Sequence, residues 1–265
     1  MTASPSDGLD FEALSRKLES SGLVRTLHVL HSIDSTNAFL QSLPAERAQH
    51  GTLAVADHQA RGRGRHDRPW CDRPGQSLLF SILLDAPRPA GCRPLLSLGA
   101  AVSVCRVLER EGVEPVRIRW PNDVMIGERK VCGILAETAA SPDALVLGVG
   151  LNVHQRAEDF PETLRDSATS LWLARPAPRR REDLLAAFVR DFEGVYDLWR
   201  TEKDAPLLDD CRRRTATLGR SVFLHSRGRR IDGVAMGLDS DGSLVVRESS
   251  GVVSRWHSGD VELLR

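Results

Sequence analysis

Between Gln59 and Trp70 the chain reads QARGRGRHDRPW, four arginines and two glycines in twelve residues, bracketed by a glutamine and a tryptophan. The mixture suits an anion. Glycine lets backbone N–H groups turn toward a phosphate without steric penalty, and arginine supplies planar, permanently charged donors that match phosphate oxygens. So polar a segment is costly to order when empty, which predicts a loop that closes over its ligand. The plainer reading is an exposed basic loop, or an RGG-like segment that touches RNA non-specifically. Short basic runs alone do not separate these readings.

Other stretches frame the loop. Asp34-Ser35-Thr36-Asn37 supplies cap-type side chains before Ala38-Phe39-Leu40 and, taken alone, is a helix N-cap. Val116 to Trp120 alternates like a strand and runs into Pro121-Asn122-Asp123, where the proline stops the ladder and a turn presents Asn122 and Asp123. Lys130 stands at a hairpin end before the buried run Val131 to Ala136, where most lysines are solvated. In Gly148-Val149-Gly150-Leu151-Asn152 the glycines predict close approach of a flat ligand to the backbone, and Asn152 offers both a donor and an acceptor.

In this order and at these spacings the stretches resemble the biotin protein ligases, whose signatures are a DSTN segment, a GRGRxGRxW loop, a KWPND stretch followed by a lysine and GIL, and a GxGxN strand. The resemblance is strong from Ile33 to Asn152 and looser over the C-terminal fifty-odd residues. It departs at His66 and Asp67, where the family usually has arginine and glycine. Asp67 is tolerable there if its φ is positive, because Asp visits that region more easily than most residues.

The resemblance implies an α+β fold: a mixed-sheet catalytic domain with packed helices, like that of class II aminoacyl-tRNA synthetases, then a small SH3-like β-barrel. The expected division is a tail and short helix over 1–26, the catalytic domain over 27–214 and the barrel over 215–265. It further implies that biotin is activated with ATP and Mg²⁺ to biotinoyl-AMP and passed to a lysine of a biotin carboxyl carrier domain, such as that of acetyl-CoA carboxylase. Carried over residue by residue, Ser35, Thr36, Asn37, Gln59, Arg63, Gly64, Arg65, Lys130 and Gly133 would surround biotin. Arg63, Arg65, Arg68, Trp70, Asn122, Lys130 and Asn152 would hold ATP or the adenylate. Lys130 and Arg65 would act in catalysis, and Asp123 would orient or deprotonate the acceptor ammonium. No protein metal site is implied.

The elements that must position these groups are legible. Phe11, Leu14 and Leu18 fall at helical spacing near the N-terminus, Leu27 to Ile33 and Thr52 to Asp57 read as strands, and Ser77 to Leu84 is a continuous apolar strand. Arg93 to Glu111 reads as a long core helix, Ala144 to Val153 as a strand, and Glu182 to Trp199 as an amphipathic helix. Short strands split by Gly and Asp turns follow over Ser221–His225, Arg230–Leu238, Leu244–Arg247 and Val252–Trp256, with Asp241-Gly242 as a hairpin signal.

At 265 residues the chain can bury a substantial core, and a formal net charge of zero argues against a protein that binds nucleic acid through its overall field. Five cysteines without CxxC spacing argue against a disulfide framework or zinc ribbon, and predict a cytoplasmic setting. No signal peptide or membrane span is read. His28 and His31 have no further ligand pattern beside them. About thirty residues before the DSTN segment are too few for the winged helix of repressor-type relatives, so no operator binding is expected. A monomer or a homodimer fits equally. Two rivals stand beside the ligase: a lipoate ligase or octanoyl/lipoyl transferase of similar fold, and a nucleic-acid-binding protein. A P-loop is absent from the sequence, as fits adenylation on a different sheet.

Overall fold

The computed structural model describes residues 8–226 and 228–263, so the first seven residues of the expected tail lie outside the described residues. Helix α1 (Phe11–Leu18) starts at Asp10, whose carboxylate accepts from Ala13 N, and it buries Leu14 and Leu18; Phe11, expected on the same face, is 50% exposed. Strand β1 (Thr26–Ile33) leads into helix α2 (Thr36–Gln41), then strand β2 (Thr52–Gln59) and strand β3 (Ser77–Asp85). Helix α3 (Arg93–Arg110) precedes four strands, β4 (Val116–Arg119), β5 (Asp123–Ile126), β6 (Arg129–Thr138) and β7 (Ala144–Asn152). Helices α4 (Leu171–Ala174), α5 (Arg181–Arg200) and α6 (Asp204–Arg214) complete this part.

The seven strands form one mixed sheet in the order β1-β2-β3-β7-β6-β5-β4, parallel only between β1 and β2. β3 is an interior strand, between β2 and β7, with every residue from Ser77 to Leu84 buried, which is why its sequence is a continuous apolar run instead of an alternation. Both faces are covered. α3 and α5 pack on one, forming the main core with Phe188, Phe192, Tyr196 and Trp199 of α5. α2 packs on the other, where Leu40 meets Ala54, Leu83 and Val146. By length and composition Ala90–Arg110 could cross a membrane, yet it is mostly buried inside this fold, as a core helix is.

A second, all-antiparallel sheet has the order β11-β10-β9-β8-β12, from β8 (Ser221–Ser226), β9 (Arg229–Leu238), β10 (Leu244–Glu248), β11 (Val253–Trp256) and β12 (Asp260–Leu263). Its Asp241-Gly242 turn rests on the first body: Leu95 N donates to Asp241 O at 3.1 Å and Trp120 Nε1 to Gly242 O at 3.1 Å. A Cβ at Gly242 would lie 2.7 Å from Leu95 N, so this contact requires glycine as much as the turn does.

The mixed sheet with helices and the small C-terminal all-β unit agree with the expected fold. Two strands were not anticipated. Asp123, read as the end of a turn, begins β5, which pairs with β4 and β6; and Asp260–Leu263 adds β12 at an edge of the second sheet. Both are four residues long, too short for periodicity to register. His28 and His31 lie on β1, where positions three apart point to opposite faces.

Candidate active site

All fourteen residues expected at the site border one open cavity of about 360 Å³ on the mixed sheet. The arginine-rich segment leaves β2 after Gln59 and folds back on itself. Gly64 N donates to Arg68 O at 2.7 Å and Trp70 N to Gly62 O at 2.8 Å. His66 and Asp67 turn its tip with φ of 56° and 55°, so the left-handed conformation expected for Asp67 is shared by His66. Both replacements therefore stand where the backbone favours glycine.

One end of the cavity is neutral and densely hydrogen-bonded. Ser35 is the N-cap of α2, its hydroxyl oxygen accepting from Ala38 N, and it also lines the cavity. Gln59 Oε1 accepts from Thr36 N at 2.7 Å and from Thr36 Oγ1 at 2.9 Å. With its oxygen so engaged, the Gln59 amide has its NH₂ group left for a ligand. Thr36 Oγ1 lies 2.6 Å from Ser81 Oγ, Ser81 Oγ donates to Asn37 Oδ1 at 2.6 Å, and Asn37 Nδ2 donates to Glu137 Oε2 at 2.7 Å. Asn37 Nδ2 also donates to Leu135 O at 3.4 Å, so both ends of this amide have protein partners.

Two side chains lie close to the glycines of β7. A Cβ at Gly148 would lie 2.2 Å from Asn37 Oδ1, and one at Gly150 would lie 2.7 Å from Trp70 Cε2. Gly133 is the cross-strand partner of Gly150, and a Cβ there would lie 3.0 Å from Trp70 Cζ3. Asn37 and Trp70 thus need these glycines for their own close approach, with the indole lying across β6 and β7, and the glycine strand still borders the cavity.

The other end is cationic. Lys130 Nζ lies 2.5 Å from Asp123 Oδ1 and 5.7 Å from the Trp70 ring centroid, with Arg119 holding Asp123 Oδ2 at 2.8 Å. Burial acts to raise the Asp123 carboxyl, but Lys130 and Arg119 outweigh it and hold the group below the ordinary carboxylate range. Arg63 pairs with Glu137 at 3.3 Å and Asp67 at 3.6 Å, while Arg68 pairs with Asp260. Arg65 donates to Gly259 O at 3.0 Å and to Asn122 Oδ1 at 3.4 Å; burial lowers its pKa against the pull of Asp260 and Asp123. Asn122 Nδ2 donates to Ile134 O at 2.6 Å, and Asn152 Nδ2 to Thr169 O at 2.9 Å, which fixes both amides.

Residues that the sequence did not announce complete the walls. Phe160, Leu164 and Ala168 form an apolar side, held where Lys130 N donates to Ser167 O and Thr169 N to Lys130 O, each at 2.8 Å. Ser81 carried a signal, as a lone polar residue inside the apolar β3 run. Asp260 carried none. Trp70 Nε1 is buried without a hydrogen-bond partner.

Residues 29–153 match the biotin/lipoate A/B protein ligase family, and residues 217–264 match the biotin protein ligase C terminal domain. The chain is 34% identical to a biotin–[acetyl-CoA-carboxylase] ligase of Mycobacterium tuberculosis, over 91% of this chain and 90% of that protein. This chain belongs to the biotin protein ligase family. It is also 32% identical to a bifunctional ligase/repressor of Bacillus subtilis, over 87% of this chain and 72% of that one. In structure it resembles the family member from Aquifex aeolicus solved with biotin and ATP, with a TM-score of 0.77 and 30% identity over 91% of this chain and 99% of that one. Apart from the first three residues of β1, both sheets thus fall inside matched family regions, and every cavity group on β1 to β7 or the loop lies within the first of them.

Proposed function

We propose that this protein activates biotin with ATP to biotinoyl-5'-AMP and transfers the acyl group to one lysine of a biotin carboxyl carrier domain. The observation that carries this reading is one cavity with two chemistries: neutral hydroxyl and amide groups at one end, and the cations Lys130, Arg63, Arg65, Arg68 and Arg119 at the other. A ureido ring needs neutral partners, and the meeting of a carboxylate with a triphosphate needs cations in a site shielded from water.

In the first step a biotin carboxylate oxygen bonds to the α-phosphorus, the bond to the bridging oxygen breaks, and pyrophosphate leaves. Ser35, Thr36 and the Gln59 amide would hold the ring, while Lys130 draws the carboxylate and the α-phosphate together. Trp70 and the wall of Phe160, Leu164 and Ala168 would enclose the nucleotide, with Asn122 and Asn152 as polar partners. In the second step the acceptor ammonium gives up a proton to solvent, its nitrogen bonds to the acyl carbon, the acyl carbon–oxygen bond to the phosphate breaks, and AMP leaves as the nitrogen sheds a second proton to solvent. Asp123, held ionised by Lys130 and Arg119, suits orienting the acceptor ammonium better than taking its proton, because a depressed pKa makes a weak base.

Among the described residues no three His, Cys, Asp or Glu side chains gather as a metal site. Mg²⁺ commonly rides on substrate phosphates with one or two carboxylates, so it would enter with the triphosphate and supply charge neutralisation there. Five free cysteines fit a reducing compartment, which supports a cytoplasmic setting. The test is transfer of labelled biotin to carrier domains with ATP and Mg²⁺. Label on the carrier lysine is expected; background labelling across several carriers would refute the assignment, and transfer of lipoate instead would favour the sister activity in the matched family.

A further inference from the structure

Two arginines of the loop reach across to the C-terminal sheet. Arg65 Nη1 donates to the Gly259 carbonyl at 3.0 Å, and the Arg68 guanidinium pairs with the Asp260 carboxylate. The two sides of this contact are anchored differently. Asp260 opens β12 and pairs with His225 of β8, and a Cβ at Gly259 would lie 2.9 Å from Leu224 Cδ2, so the turn is packed hard onto β8. The sheet carrying it is docked through Asp241 and Gly242 on Leu95 and Trp120. The loop has its own hairpin bonds, an exposed tip at His66 and Asp67, and no buried apolar side chain between Gly62 and Asp67.

We infer that Asp260 is a positioning residue for the arginine loop. It holds Arg68, the adjacent Gly259 carbonyl holds Arg65, and the C-terminal sheet is the fixed jaw against which the loop closes over the acyl adenylate. This rests on the function proposed above and adds a regulator of how long the intermediate is kept. Asp260 borders the cavity, yet its negative charge unfits it to bind phosphate itself; it acts through the arginine. The side chains of Arg68 and Asp260 are 67% and 31% exposed, so solvent screens the pair and its removal loosens the jaw without unfolding it.

The experiment uses the full chain and compares wild type with Asp260→Asn, Asp260→Glu, Arg68→Gln and the Asp260→Asn/Arg68→Gln pair. Three quantities are read: biotin-dependent ATP–pyrophosphate exchange, escape of labelled biotinoyl-AMP from the isolated complex, and melting temperature. Asp260→Asn should speed escape roughly two- to fivefold while exchange and melting stay near wild type. Asp260→Glu should restore retention, and the pair should leak no faster than Arg68→Gln alone. Unchanged escape in Asp260→Asn would overturn the inference, as would an equal loss of exchange and retention. A lower KM for ATP with unchanged escape would make Asp260 a competitor of phosphate and would also overturn it. A wild-type chain that makes no adenylate would remove the function proposed above and this inference with it.

Discussion

Lys130 Nζ lies 2.5 Å from Asp123 Oδ1 on the neighbouring strand, and Arg119 holds the other oxygen of that carboxylate at 2.8 Å. The lysine is therefore aimed by a partner that is itself fixed, over the face of Trp70 and into the cavity. Lys130→Ala leaves Asp123 paired with Arg119, so the buried carboxylate is not orphaned and the fold should survive. Adenylate formation should fall roughly a hundred- to a thousandfold, as when a major electrostatic contact to a transition state is deleted. Pyrophosphate exchange checks this, and an unchanged rate would remove Lys130 from the site.

Two glycines on one strand should respond differently to the same methyl group. At Gly148 the new Cβ strikes Asn37, which is 4% exposed and pinned by Ser81 and Glu137, so Gly148→Ala should cost about 1–3 kcal/mol of stability. At Gly150 it meets the edge of Trp70, on a loop that can shift. Gly150→Ala should therefore raise the KM for ATP while denaturant unfolding stays within about 1 kcal/mol of wild type. Equal losses of stability in the two variants would contradict this placement of the indole.

Arg65→Gly removes the guanidinium that reaches both Asn122 and Gly259. If this arginine retains the adenylate, escape should rise roughly ten- to a hundredfold, the size of one charge-assisted hydrogen bond, while Lys130 and Arg63 sustain synthesis. Serum albumin present without a carrier should then become biotinylated on accessible lysines, visible on a streptavidin blot. Identical albumin labelling by both proteins, with synthesis intact, would free Arg65 of this role.

Asp72 gives a pH-dependent case. Its side chain is 1% exposed, Oδ1 has no partner, and burial raises its pKa above the ordinary 3.8 despite the hydrogen bond with His58. A carboxyl whose folded pKa lies above its unfolded one favours the fold fully below the unfolded value and loses that contribution as pH rises through the folded value. An amide side chain at this position would mimic the neutral form at every pH, so Asp72→Asn should stabilise the protein by about 1 kcal/mol at pH 8, with the gain closing as pH falls toward the ordinary carboxylate range. Denaturant titrations at several pH values test it; a destabilised variant at pH 8 would show that the charge has a partner in solution.

The legible and the illegible parts of the chain divide by range. Local patterns gave away the buried β3 run, the α3 and α5 helices, the Asp241-Gly242 turn and the hydrogen-bonding residues at Ser35 to Asn37, because each is written in consecutive residues. What the glycines of β7 accommodate was not legible, since Asn37 and Trp70 arrive from more than seventy residues away in the chain. Asp260 was invisible for the same reason. It is one acidic residue in a four-residue strand, and only the docking of the second sheet brings it to Arg68. Ser81 and Glu137 were missed because a buried polar relay has no periodicity, only partners.

The most direct test of the account is pyrophosphate exchange into ATP by the purified full chain, measured with biotin, with lipoate and with neither. The cavity that joins neutral hydroxyl and amide groups to Lys130 and the loop arginines predicts exchange that depends on biotin, is absent without an acid, and collapses in Lys130→Ala. Exchange driven by lipoate and not by biotin, or no acid-dependent exchange at all, would contradict it.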